Sequence, residues 1–155
     1  MVLQEGSSDS TLDSRGRFIL PTTILRNIPA ECDGRFVINR GSEKYLALYT
    51  INEWNRIKEG ISTLNTFKPE MRRVVRYFMG SAAEVKLDAK NRILIPPSLV
   101  DYACLEKDLQ IVTSNTSIEI WNPRLYDIEM NDPNIAKSDA YDEFAETVFN
   151  KWKNT

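Results

Sequence analysis

The sequence predicts an α+β fold assembled from two copies of one small module that bury a shared core. Three observations carry this. Residues 12–25 (LDSRGRFILPTTIL) recur without a gap as residues 87–100 (LDAKNRILIPPSLV), at a constant offset of 75. In both copies, short runs of strand-forming residues are punctuated by Gly, Pro, Asn and Asp at turn positions. Between the copies, apolar residues fall at helical spacing. Two copies are too few for a solenoid, whose ends need further repeats to cover them. Neither copy alone is long enough to enclose a sizeable core, so the two share one with each other or with another chain.

The elements follow in order. Leu12, Asp13, Arg17 and Pro21 are identical to Leu87, Asp88, Arg92 and Pro96, and Arg15 matches Lys90 as a basic residue. In the second copy a short strand at residues 84–87 runs into a turn at 88–91. Gly16 and Asn91 hold the same turn position, and these are residue types that most readily accept a positive φ. A second strand follows, at residues 17–20 and 92–95. Pro21 and Pro96 then stop the ladder and open short helices, at residues 22–27 and 97–103. A hairpin closes each copy: residues 35–39 with 45–49, and 109–113 with 117–121, joined by polar loops at 40–44 and 114–116. The repeat continues weakly here, with residues 33–38 parallel to 108–112 and 46–49 parallel to 118–121.

Between the copies, Asn52 is the expected cap of a helix carrying Trp54, Ile57, Ile61 and Leu64 on one face. A second helix at 69–79 places Met71, Val74, Val75 and Phe78 together, with Arg72, Arg73 and Arg76 on its other positions. The second copy continues from Pro123 through a loop at 131–134 to an acidic helix at 138–152. The expected divisions are a first module at 10–55, a helical linker at 56–80, a second module at 81–126 and an acidic helical tail at 127–155.

Composition narrows the function. With 42% hydrophobic and 27% charged residues, the chain is a folded protein rather than a disordered one. Histidine is absent, which removes the commonest general base and the commonest transition-metal ligand together. No Gly-rich phosphate loop and no nucleophile motif is present. The reading is therefore a non-enzyme, with no cofactor, no metal and no small-molecule substrate. Cys32 and Cys104 are far apart and read as inert, reduced thiols. Residues 1–11 are polar, without the apolar core of a signal peptide, and no apolar run approaches the roughly 20 residues of a membrane span. The expectation is a cytoplasmic protein without a membrane partner.

The net charge of −2 argues against a coat for nucleic acid, but it is an average of unlike halves. Residues 1–77 hold 12 Lys/Arg against 9 Asp/Glu, net +3; residues 78–155 hold 8 against 13, net −5. The basic stretch 68–76 reads as the solvated face of an amphipathic helix or a salt-bridge partner for another subunit. Tyr45, Tyr49, Trp54 and Trp121 could stack bases, but their strand alternation and helical placement make them core or subunit-interface residues.

The repeated Asp-x-x-x-Arg turn has two compatible readings. Asp13 and Asp88 can accept backbone N–H bonds within the turn and pair with the Arg on the returning strand, which orders the loop. Gly16 and Asn91 support the same geometry. The cations that the turn displays, Arg15, Arg17, Lys90 and Arg92, can reach phosphates, and Arg can read guanine O6 and N7 in the major groove.

These residues resemble those of the MraZ family of bacterial transcriptional regulators. The resemblance rests on Leu12-Asp-Ser-Arg-Gly-Arg17, Leu46-Ala-Leu-Tyr49 and Glu53-Trp54 in the first copy. It continues with Arg73-Val-Val-Arg-Tyr-Phe78 and Ala82-Ala-Glu-Val85 in the linker, then Leu87-Asp-Ala-Lys-Asn-Arg92, Ile95-Pro96 and Ile118-Glu-Ile-Trp121. The sequence departs from the family pattern at Asn91, where Gly is usual, and at residues 22–25, which lack a basic residue. The resemblance implies tandem swapped-hairpin β-barrel modules of the AbrB/SpoVT type forming one pseudo-twofold unit. It implies a nucleoid-associated regulator of the cell-division and cell-wall gene cluster, a ring-shaped homo-oligomer that binds promoter direct repeats in double-stranded DNA. Antitoxins share the module, so a protein-binding role with the acidic tail as partner arm is the alternative.

Overall fold

The computed structural model describes residues 6–114 and 117–153. It is an α+β structure with a six-stranded antiparallel sheet, a separate two-stranded ribbon and six α-helices among those residues. Asn115 and Thr116 of the expected second hairpin loop lie outside the described residues, as do residues 1–5 and 154–155 of the two ends.

Each copy contributes four strands. In the first they are β1 (Gly6–Thr11), β2 (Arg17–Ile19), β3 (Arg35–Arg40) and β4 (Leu46–Thr50); in the second, β5 (Ala83–Lys86), β6 (Arg92–Leu94), β7 (Asp108–Thr113) and β8 (Ile118–Trp121). The sheet order is β1-β7-β8-β4-β3-β5. The two hairpins, β3–β4 and β7–β8, meet edge to edge at β4 and β8. The first strand of each copy pairs with the hairpin of the other: β1 with β7, and β5 with β3. β2 and β6 form the ribbon, with Phe18 opposite Ile93 at its centre.

These pairings correct one part of the sequence alignment. Thr11 pairs with Asp108 and Lys86 with Arg35. Thr11 and Lys86 are equivalent by the repeat, so Arg35 corresponds to Asp108. The parallel between residues 33–38 and 108–112 is thus displaced by two positions: Phe36 stands where Leu109 stands, and Ile38 where Ile111 stands. The first copy has a longer approach to its hairpin, containing a 3-10 turn at Ala30–Cys32, and the identical Asp residues masked that insertion. The β2 and β6 strands also end one residue early. Leu20 and Ile95 fall after the ladder, yet both are buried.

The core is one cluster drawn from both copies. Phe18, Leu20, Ile24, Phe36, Ile38, Leu46 and Leu48 meet Ile93, Ile95, Leu99, Leu109, Ile111, Ile118 and Ile120. Each such side chain contributes about 1.5–3 kcal/mol on burial, and both copies supply side chains to this one cluster. Short helices α1 (Thr22–Leu25) and α4 (Pro97–Tyr102) follow Pro21 and Pro96, and drop Ile24 and Leu99 into that cluster.

The opposite face of the sheet is covered by the linker helices α2 (Ile51–Ser62) and α3 (Pro69–Gly80). Val37 and Asn39 alternate to that face. Asn39 donates its Nδ2 to the Phe78 carbonyl at 2.9 Å, and Trp54 stacks on Phe78 at 5.7 Å between ring centres. The cap of α2 is Thr50 rather than Asn52: the Thr50 Oγ1 accepts the Glu53 N–H at 3.3 Å. On α3, Met71, Val75 and Phe78 are half-buried, but Val74 is exposed. Tyr45 stacks on Trp121 at 4.8 Å, and Tyr49 lies 5.7 Å from Trp54, so the four aromatics pack on one another in pairs and line the fold. Cys32 is buried and Cys104 exposed, and both are free thiols.

Residues 124–155 form a separate unit. It contains most of α5 (Pro123–Met130) and α6 (Asp139–Lys153), whose first turn carries Asp139 and Asp142, favourable at the positive end of a helix dipole.

Candidate nucleic-acid interface

The two Asp-x-x-x-Arg turns are built alike, atom for atom. In the first, Asp13 Oδ1 accepts the backbone N–H groups of Arg15 and Arg17, each at 2.9 Å, and Oδ2 accepts Arg17 Nε–H at 2.8 Å. In the second, Asp88 Oδ1 accepts from Lys90 and Arg92 at 2.9 Å, and Oδ2 accepts Arg92 Nε–H at 2.7 Å. Backbone bonds close each turn: Gly16 N–H to the Asp13 carbonyl at 3.1 Å, and Asn91 N–H to the Asp88 carbonyl at 3.0 Å. Gly16 and Asn91 both take positive φ, +80° and +59°. That backbone state is open to glycine and tolerated by asparagine, which explains why these two types share the position.

The carboxyls of Asp13 and Asp88 are held below their ordinary value of 3.8. The largest cause is the backbone N–H of Arg17 or Arg92. Partial desolvation opposes it, and the Arg side chain and the N–H of Arg15 or Lys90 add to it. Each carboxylate therefore remains ionised and keeps its turn closed at neutral pH.

The turns are also locked to one another. Leu20 N–H donates to the Asn91 carbonyl at 3.0 Å, and Ile95 N–H donates to the Gly16 carbonyl at 2.8 Å. All eight residues singled out in the sequence thus gather on the β2–β6 ribbon and its two ends. Arg17 and Arg92 are held through Nε, and their terminal Nη groups make no hydrogen bond among the described residues. Their side chains keep 24% and 25% exposure. Arg15 and Lys90 are exposed, with no ion pair among the described residues. Each turn carries two cations against one carboxylate, and Asp9 and Asp108 line the groove beside Arg17 and Arg92.

Beside these cations stand Ile19 and Leu94. They are 58% and 55% exposed, on the same face as Arg17 and Arg92. The two-residue strand period was the available signal: Arg17-Phe18-Ile19 and Arg92-Ile93-Leu94 bury only the middle residue. Grooves flank the ribbon. One of about 700 Å³ is lined by Asp9, Ser10, Asp13, Arg17 and Arg92 among others, and one of about 580 Å³ by Arg15, Glu84, Lys86 and Leu94 among others. Among the described residues, no group of three or more His, Cys, Asp or Glu could hold a metal ion, and no helix is long and apolar enough to cross a membrane.

The fold and the ribbon define an α+β protein of two repeats, each with an Asp-clamped arginine turn at one end of a shared ribbon. A family model described as "MraZ protein, putative antitoxin-like" matches the chain twice, over residues 4–77 and 78–142. The chain belongs to the MraZ family. It is 40% identical over 121 residues to the transcriptional regulator MraZ of Cytophaga hutchinsonii, covering 78% of this chain and 80% of that protein. It is 31% identical over 141 residues to the transcriptional regulator MraZ of Thermoanaerobacter pseudethanolicus, covering 91% of this chain and 93% of that one.

Proposed function

We propose that the protein is a sequence-specific, DNA-binding transcriptional regulator that contacts promoter direct repeats through Arg15, Arg17, Lys90 and Arg92. The observation that carries this reading is the pair of Asp-clamped arginines, presented on one exposed ribbon with their Nη groups turned to no protein acceptor among the described residues. A two-stranded ribbon fits the major groove, and an oriented guanidinium is suited to a guanine edge or a phosphate. The relatives' names support the regulatory role. The exchange of first strands between copies supports swapped-hairpin modules of the AbrB/SpoVT type, divided at 10–55 and 81–126 with the linker 56–80 between and the acidic tail 127–155 after them.

One subunit offers few cations and binds DNA at non-specific strength. A ring-shaped homo-oligomer would convert later contacts into intramolecular ones and raise avidity by orders of magnitude. The test is gel shift on a duplex taken from upstream of the chain's own coding region, with assembly followed by light scattering. Arg17→Ala and Arg92→Ala are expected to weaken binding and leave fold and assembly unchanged. Binding equal to the unaltered protein in both variants removes these residues from the site.

The family description's word "antitoxin-like" favours one second reading, a protein-binding module whose acidic tail is the partner arm. A stoichiometric, non-self protein recovered with the chain, together with no preference for the upstream duplex, would select it.

A further inference from the structure

Four side chains make up the outer face of the β2–β6 ribbon. The register sets Arg17 opposite Leu94, and Ile19 opposite Arg92. Cations and apolar groups therefore alternate like the squares of a two-by-two board, related by the pseudo-twofold of the repeat. Single exposed apolar residues are ordinary. Here two occupy equivalent positions in two copies, each beside a guanidinium already oriented by a carboxylate. Arg15, Arg17, Lys90 and Arg92 supply cations beside them, with Asp9 and Asp108 along the flanking groove, and cations set next to apolar groups fit a nucleic acid, which offers phosphates and base edges together, rather than an apolar protein face.

We infer that Ile19 and Leu94 contact the 5-methyl groups of thymines in the major groove, next to bases or phosphates held by Arg92 and Arg17. The inference rests on the DNA-binding reading and adds a source of sequence preference to it. In the major groove only thymine presents a methyl group, and apolar side chains recognise it. Directly opposed residues on antiparallel strands lie ~5 Å apart at Cβ. A cation and its apolar neighbour can therefore meet neighbouring base pairs at one site. Burial of one methyl group is worth about fourfold in affinity.

The experiment measures binding of the full chain by fluorescence anisotropy to two duplexes. One is the upstream sequence, and the other is the same sequence with deoxyuridine in place of thymidine, which removes only the methyl groups. A shuffled duplex serves as reference. The expected result is about fourfold or greater weakening on the deoxyuridine duplex, and a double variant, Ile19→Ser with Leu94→Ser, that binds both duplexes alike. If the unaltered protein prefers upstream to shuffled DNA but binds both upstream duplexes equally, the inference is overturned while the DNA-binding reading stands. The inference is equally overturned if the double variant keeps the full penalty. It also fails if the variant changes assembly state and the unaltered protein shows no penalty, which assigns the pair to a subunit contact. No preference for upstream over shuffled DNA overturns both readings.

Discussion

At Asp13 and Asp88 a single carboxylate closes a turn, orients an arginine and sets the local charge, and each task leaves a measurable trace. Because both carboxyls are lowered, the folded state binds the proton less readily than the unfolded chain. Their contribution to stability is complete above pH 3.8 and is lost as pH falls through the lowered values. A carboxyl NMR titration is expected to place both midpoints below 3.8, and a midpoint at or above it contradicts the turn geometry. Gly16 is the second marker. At φ +80° a β-branched side chain is strained, so Gly16→Val is expected to cost about 1–2 kcal/mol in chemical denaturation. Asn91→Gly, made in the same backbone state, is expected to be close to neutral. The sequence made these roles legible because the turn is local: every bond spans four residues or fewer. Ile19 and Leu94 were harder to see, because their significance depends on which strand faces them.

At the scale of elements, the α2 helix starts at Thr50, whose hydroxyl accepts the Glu53 N–H. Thr50→Ala is therefore expected to cost about 1 kcal/mol, and Asn52→Ala little. Melting curves of the two variants decide between the observed cap and the one the sequence suggested. Both residues are capping types two positions apart, and β4 running directly into the helix chooses between them. A similar ambiguity displaced β3 against β7 by two residues, because matching Asp residues outweighed the apolar alternation that the core selects. The β1 strand was illegible for a different reason. Its residues, Gly-Ser-Ser-Asp-Ser-Thr, have no apolar alternation, and it is a strand only because β7 of the other copy offers it a partner. By contrast β2, β4, β6 and β8, flanked by Pro or turn residues and rich in apolar side chains, were readable from local pattern.

At the scale of the molecule, duplication turns one weak turn into a two-ended surface. The shared core ties the copies together, and the crossed bonds from Leu20 to Asn91 and from Ile95 to Gly16 fix the two turns against each other. The net charge of −2 is compatible with cations clustered at the two turns, since residues 124–155 alone hold 4 Lys/Arg against 7 Asp/Glu, net −3. The central claim is that this face binds DNA through its arginines. The measurement closest to it is the salt dependence of affinity for the upstream duplex, for the full chain and for an Arg17→Ala, Arg92→Ala double variant. Removing one phosphate interaction makes the slope of log affinity against log salt shallower by about 0.9. The expected result is a steep slope and a preference over shuffled DNA for the unaltered chain, with a shallower slope and a weaker preference for the variant. An identical slope and an identical preference in the two proteins would contradict the claim.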